Sequence, residues 1–308
     1  MTDLQNMARE FLALRRSLGY KLVQVEAQLN EFVTFLDSKS AAYVTTQLAL
    51  AWVLESARGA IGSYKHRLYV VRSFAKYVSA TDSRTEVPPP RLLPLPARTR
   101  RPYIYTEKEV LLLMDATQML SSPEDLRRHT YYCLLGLLAV TGLRKGEARR
   151  LRKEDVDLTQ GLLTIREAKF GKSRLVPLHV TTVKALTDYS ARRDAYLGKT
   201  KVDTFFAGKS GRPLSTVQGT FETLRRAVGL GSAPRRQNPR LHDFRHRFAV
   251  NTLLNWYRDG EDVERLLPVL STFLGHTRIE DTYWYLSSTP ELMSAASERL
   301  EKRWEGSR

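Results

Sequence analysis

One cysteine, Cys133, is all the thiol in this sequence, which excludes an internal disulfide framework. It lies in the run YYCLLGLLAV, where a thiol serves as a small core hydrophobe, and an unpaired thiol suits a reducing cytoplasm. Apolar runs are short. None approaches the roughly 20 residues that span a bilayer, and YYCLLGLLAV is followed by TGLRKGEARR, so no membrane partner is expected. The N-terminal MTDLQNMARE lacks the basic-then-apolar layout of a secretory signal. There is no GxxxxGKS/T phosphate loop, no fixed-period repeat and no low-complexity tract. Acidic residues are in the minority, 33 Asp and Glu against 49 Lys and Arg, giving a net charge of +16. A surplus of that size suits a polyanionic partner, most simply nucleic acid.

What is present supports that reading. The basic residues recur inside segments with apolar periodicity, as in YKHRLYVVRSFAKY, RKGEARRLRK and LHDFRHRF, and so predict basic faces on structured domains. With 308 residues and 42% hydrophobic content, the chain exceeds one small core, and two domains are expected.

Periodicity locates them. Residues 1–82 repeat apolar positions every three or four residues in REFLALRRSLGY, QVEAQLNEFVTFL, TTQLALAWVLESA and SYKHRLYVVRSFAKYV, which predicts a bundle of four helices. Residues 83–104 are dense in Pro and Arg and lack a period, as expected of an extended basic linker able to reach around a duplex. From 105 to 308 the pattern is helical again. It opens with a capping box at Thr106 and Glu109, and GLLTIREA and RLVPL form a hairpin around KFGKS, with Gly171 at the bend. The fold class is mainly α with a small β-sheet.

Four segments of the second domain carry candidate chemistry. Arg144 precedes Glu147 by one helical turn, a spacing that an ordinary surface ion pair also satisfies. Lys169 and Lys172 sit in the hairpin turn. His242 and Arg245 are three apart in LHDFRHRF, with His246 beside them. LGHTRIEDTYWYL holds His276, Tyr283 and Tyr285. Together they supply what a protein nucleophile needs to cleave a phosphodiester. Two guanidiniums can hold the non-bridging oxygens and counter the charge of a five-coordinate transition state. A histidine can share the nucleophile's proton. A lysine can protonate the leaving 5′ oxygen, and a tyrosine, ordinarily at about 10, needs such neighbours to attack.

In this order the motifs resemble the tyrosine recombinase (phage integrase) family, specifically over residues 105–290 and loosely over 1–80. The resemblance implies an N-terminal all-α, SAM-like core-binding domain and an α+β catalytic domain. It implies Arg144 as the first catalytic arginine with Glu147 as support, His242 and Arg245 from HDFRH, His276 at the phosphate, and Tyr285, nine residues on, as nucleophile. Tyr283 should point away. Aligning RLVPL with the family's second hairpin strand implies Lys169 as general acid, with Lys172 as the alternative. Glu280 and Asp281 depart from the small hydroxyl residues common there. The implied activity is site-specific recombination of double-stranded DNA through a 3′-phosphotyrosyl intermediate, without metal, ATP or cofactor, by a homo-oligomer that is tetrameric in the synaptic complex. Integration or movement of a mobile element is the expected role; the apolar stripe of PELMSAASERLEKRW either packs on its own domain or, as the resemblance implies, docks on a neighbouring subunit. Two alternatives stand beside it: a catalytically silent DNA-binding accessory factor, which would share the charge and the fold, and a type IB topoisomerase-like relaxation activity, which shares the chemistry although size and two-domain layout resemble the recombinases more closely. A metal nuclease would need converging carboxylates, and RKEDVDL, the one obvious cluster, reads as a turn entering a strand.

Overall fold

Four helices built on the expected apolar spacing make the first part of the chain in the computed structural model. Helix α1 (Asp3–Ser17) buries Leu4, Ala8, Phe11 and Leu12, one face of a 3.6-residue period. Leu29, Phe32, Val33 and Leu36 of α2 (Val23–Ser38) meet Trp52 and Val53 of α3 (Thr46–Ser56) and Val70, Val71, Phe74 and Val78 of α4 (Ile61–Val78). Trp52 packs a tilted 5.1 Å from Phe32, and the Arg67 guanidinium covers its ring at 4.7 Å. The described part of the segment after α4 is fastened to these helices. Glu86 donates its backbone N–H to the Val44 carbonyl and accepts one from Thr46, both at 2.8 Å, while Leu92 and Leu93 pack against the core.

The structure describes residues 3–20, 22–56, 61–90, 92–93, 102–120, 126–166, 173–200, 202–208, 210–215, 217–231, 238–286 and 289–305. The chain divides into two compact units, Met1–Thr99 and Arg100–Arg308. The expected hairpin turn with Lys169, Gly171 and Lys172 lies outside the described residues.

The second unit begins at α5 (Glu107–Asp115), whose N-terminus carries the capping box read from the sequence. Thr106 Oγ1 accepts from Glu109 N at 3.2 Å, and Thr106 N donates to the Glu109 carboxylate at 2.8 Å. Helix α6 (Leu126–Thr141) is the centre of its core, burying Tyr131, Leu134, Leu135, Leu137 and Leu138. Burial raises Cys133 on this helix to about 12, so it stays a neutral thiol packed in the core. Short α7 (Lys145–Arg150) follows. A three-stranded antiparallel sheet in the order β1 (Val156–Asp157), β2 (Leu162–Ile165), β3 (Arg174–Pro177) comes next. The RKEDVDL carboxylates are employed locally: Asp155 accepts from Arg152 N at 3.0 Å and pairs with Arg166.

Helices α8 (Val180–Leu197) and α9 (Val217–Ala227) lead to α10 (Asp243–Arg258) and α11 (Val263–Leu274). These last two build a separate apolar cluster with Tyr285 of α12 (Glu280–Leu286) and Leu292 of α13 (Pro290–Glu305). The terminal helix is thus seated on its own unit at its first turn. Along its predicted stripe Leu292 is buried, Ala296 half-buried, and Leu300 and Trp304 exposed. None of the helices among the described residues is long and apolar enough to cross a membrane.

Candidate active site

The C-terminal end of α11 organises the site. The last carbonyls of a helix have no partner inside it and form the negative end of its dipole. Here three consecutive ones each accept from a different arginine. Arg174 Nε donates to Phe273 O at 2.7 Å, Arg245 Nη2 to Leu274 O at 2.8 Å, and Arg144 Nη2 to Gly275 O at 2.9 Å. Arg245 also donates to Gly142 O at 3.0 Å, the carbonyl just past α6. Four separated sequence segments therefore converge on two helix ends.

Two glycines permit this approach. Gly275 caps α11 with φ +70°, a left-handed conformation, and a Cβ there would lie 2.6 Å from Arg174 Nη1. Gly142 has φ +60°, and its Cβ would lie 2.7 Å from the Phe248 ring. Gly275→Ala must accept both the left-handed backbone and displacement of the Arg174 guanidinium. We expect a stability loss of at least about 1–2 kcal/mol in denaturant titration. An unchanged unfolding midpoint would show that the cap tolerates a side chain.

Beneath the arginines lies Glu147. Its side chain is only 3% exposed and accepts from Arg174 at 2.8 and 3.2 Å, from Arg144 Nη1 at 2.8 Å and from Arg144 N at 3.0 Å. Burial pushes its pKa up, but the hydrogen bonds of Arg174 and Arg144 and the charge of Arg174 outweigh this and hold it down at about 2. The Arg144–Glu147 spacing is thus no surface pair. It is one edge of a buried cluster.

Tyr285 faces this cluster from α12. It is buried at 2% exposure, whereas Tyr283, two residues back on the helix, is 47% exposed and points away as expected. The His276 ring lies nearly parallel to that of Tyr285 at 6.1 Å, and its Nδ1 is 2.7 Å from Oγ1 of the buried Thr282. Burial raises the Tyr285 pKa, opposed by the charge and hydrogen bond of Arg245 and the charge of Arg144. Burial also draws Arg245 down to about 10, with Arg144 adding to the effect, and it remains charged at neutral pH. Burial, then Arg245 and Arg144, lower His276 to about 4, so its imidazole is neutral at pH 7.

His242 stands exposed at the N-terminus of α10. Desolvation of the packed part of its ring, then Arg245 and Arg240, lower its pKa. His246 lies edge-on to it at 4.8 Å and 5.6 Å from the Tyr285 ring, with a buried Nδ1 that has no hydrogen-bond partner.

The arrangement brings Arg144, His242, Arg245, His276 and Tyr285 together in one cationic cluster, and Lys169 lies outside the described residues. Sequence reasoning missed Arg174. Its signal was present: β3 alternates, and Arg174 shares a face with buried Val176, opposite Ile165 and Leu163 of β2. A charged residue on the inward face of a strand needs a buried partner. Here the partner is Glu147.

A family model described as phage integrase family matches residues 104–291. The chain is 44% identical over 99% of both sequences to an inferred integrase/recombinase of Sinorhizobium fredii (strain NBRC 101917 / NGR234). Its fold is similar to that of the Tn1549 transposon integrase in complex with transposon right end DNA, with a TM-score of 0.66 over 98% of this chain and 99% of that one at 15% identity. It is also similar to a lambda integrase tetramer bound to a Holliday junction, with a TM-score of 0.61 over 89% and 77% at 20% identity.

Proposed function

Since the chain belongs to the phage integrase family, we propose that it is a site-specific DNA recombinase in which Tyr285 cleaves one strand and becomes linked to its 3′ phosphate. The observation that carries this reading is the burial of the Tyr285 ring beside the Arg245 and Arg144 guanidiniums, whose charges oppose the rise in its pKa. A buried phenol is a poor nucleophile at its raised pKa. Two guanidiniums offset the cost of forming the phenolate and also hold the non-bridging oxygens of an incoming phosphate. Neutral His276 and His242 can accept or orient the proton.

In the proposed step the tyrosyl oxygen bonds to phosphorus and the P–O5′ bond breaks. The leaving oxygen takes a proton from Lys169. A 5′ hydroxyl of a second strand then attacks the phosphotyrosine and releases the tyrosine. One ester is exchanged for another, and no ATP is consumed. The substrate is double-stranded DNA, held by basic faces of both units. The subunits act as a homo-oligomer, a tetramer when two sites are paired, and likeness to an integrase/recombinase supports mobile DNA as the biological substrate. Sequencing DNA covalently trapped on the protein with nicked duplexes tests the reading. Recovery of one discrete site joined through its 3′ phosphate supports it. Failure to trap any DNA at all would overturn it.

Because Arg144 and Arg245 occupy the place a divalent cation would take at the phosphate, cleavage should proceed at an undiminished rate in excess EDTA. A Mg²⁺ requirement for adduct formation would refute the guanidinium mechanism.

Lys169 should act when the 5′ oxygen leaves. Lys169→Ala should slow cleavage by about 10²-fold or more and recover on a substrate whose bridging 5′ oxygen is sulfur, which needs no proton to depart. Recovery of Lys172→Ala instead would transfer the role to that residue.

A further inference from the structure

Three arginines share the end of α11, but they are not equivalent. The Arg144 side chain is 28% exposed and that of Arg174 is 8% exposed. Every nitrogen of the Arg174 guanidinium already has an inward acceptor: Nε at Phe273 O, Nη1 and Nη2 at the two Glu147 oxygens. Such a group is poorly placed to meet a phosphate. It is well placed to control one that does.

Each Glu147 oxygen is shared between the two arginines. Oε1 accepts from Arg144 Nη1 at 2.8 Å and from Arg174 Nη1 at 3.2 Å, while Oε2 accepts from Arg144 N at 3.0 Å and from Arg174 Nη2 at 2.8 Å. The charge balance follows: one buried carboxylate against two guanidiniums leaves a surplus of one positive charge, and the more exposed arginine carries it outward. Without Arg174 the carboxylate would be compensated by Arg144 alone. Arg144 already donates Nη1 to Glu147 Oε1 and Nη2 to Gly275 O, and a buried carboxylate that is under-compensated draws strongly on the remaining cation, so the Arg144 guanidinium would be drawn further onto Glu147 and its charge spent there. The room for Arg174 depends on the missing Cβ of Gly275.

We propose that Arg174 is a positioning residue for strand cleavage, which by neutralising Glu147 keeps the Arg144 guanidinium directed at the scissile phosphate. This rests on the recombinase reading above. It makes the strand β3 part of the reaction's electrostatics, and it sets a distinctive rule for Glu147. With Arg174 present, Glu147 is needed to hold two like charges together. With Arg174 absent, the same carboxylate becomes an inhibitor of Arg144.

The test is a double-mutant cycle read as the rate of covalent adduct formation on a nicked duplex carrying the site recovered by trapping. Half-site affinity and thermal midpoint are measured alongside. Arg174→Ala should lower the rate by about 10²-fold and leave affinity within about threefold, since no phosphate contact is lost. Glu147→Gln should slow the wild-type protein, yet should speed the Arg174→Ala protein by about tenfold or more, a reversal of sign that a merely structural role would not produce. Equal slowing by Glu147→Gln in both backgrounds would overturn the proposal. So would loss of affinity in parallel with rate, which would make Arg174 a DNA contact. So would rescue of Arg174→Ala by the 5′-sulfur substrate, which would place its effect at the leaving group.

If Arg174→Ala fails to fold, Arg174→Lys keeps the charge but replaces the fork with a single donor head. It should slow cleavage about tenfold at unchanged affinity, and a wild-type rate would refute the role. A wild-type protein that forms no adduct refutes the recombinase reading itself. A wild-type adduct indifferent to Arg174 refutes this inference alone.

Discussion

Tyr285→Phe should bind DNA as the wild type does and form no covalent adduct, a loss of at least about 10⁴-fold. The substitution deletes one oxygen. The ring keeps its place among Val250, Leu253, Leu270 and Leu274, so the helix that carries it should stay packed. The hydroxyl's interaction with the neighbouring Arg245 goes, and stability should shift by only about 1 kcal/mol in either direction, because the guanidinium keeps its two carbonyl acceptors and a phenol no longer has to be desolvated. Tyr283→Phe is the matched control. Tyr283 is exposed and is not in that cluster, so its adduct should form at the wild-type rate. Denaturing gels that separate free protein from protein–DNA adducts read both variants, and gel shifts report binding. An adduct that persists in Tyr285→Phe and disappears in Tyr283→Phe would move the nucleophile to the exposed ring and remove Arg245 from the reaction.

The contrast between these two tyrosines marks what a sequence can and cannot convey. That they lie on different faces follows from a 100° step per residue on a helix, and α12 confirms it. Most of the architecture follows from equally local rules. The apolar spacing of α1 to α4, the Thr106–Glu109 capping box and the antiparallel pairing of β2 with β3 each depend on residues close in sequence, and each is present. The arginine cluster is not local. Arg144 meets Gly275 across 131 positions, and Arg245 meets Gly142 across 103, so spacing alone could name these arginines only through likeness to a family. Glu147 shows the limit sharply. At i,i+3 from Arg144 it satisfies the pattern of a weak surface pair, yet it is buried, because Arg174 arrives from β3 to share it. The final helix is a further case. A stripe at four-residue spacing marks an apolar face but not its partner. Here Leu292 is covered by the helix's own unit, while Leu300 and Trp304 stay exposed.

Arg245 combines the two kinds of consequence, structural and chemical, and its removal should be the most damaging single change after loss of the nucleophile. Its side chain is among the largest fully buried in the molecule, and its two terminal nitrogens tie the end of α6 to the end of α11. Arg245→Ala strands two buried carbonyls, Gly142 O and Leu274 O, and opens a cavity. Orphaned acceptors cost about 1–3 kcal/mol each, so an overall destabilisation of about 2–5 kcal/mol is expected in denaturant titration. Adduct formation by the fraction that remains folded should fall by about 10³-fold or more, because the charge that opposes burial of the tyrosyl oxygen is gone.

Arg245→Lys separates the two effects. One ammonium can satisfy one carbonyl at a time, so part of the stability returns. Its charge, however, is not secure. Burial and the neighbouring Arg144 already draw the arginine down to about 10, and a lysine starts about two units lower, so the same environment brings its titration within reach of neutral pH. A group whose folded pKa is depressed in this way loses its proton as pH rises. The ratio of Arg245→Lys to wild-type cleavage rates should therefore decline from pH 6 to pH 9, while the wild-type arginine stays charged throughout. A ratio that stays flat across that range would show that the ammonium has escaped to solvent and that the fork's geometry, not its charge, is what the site requires.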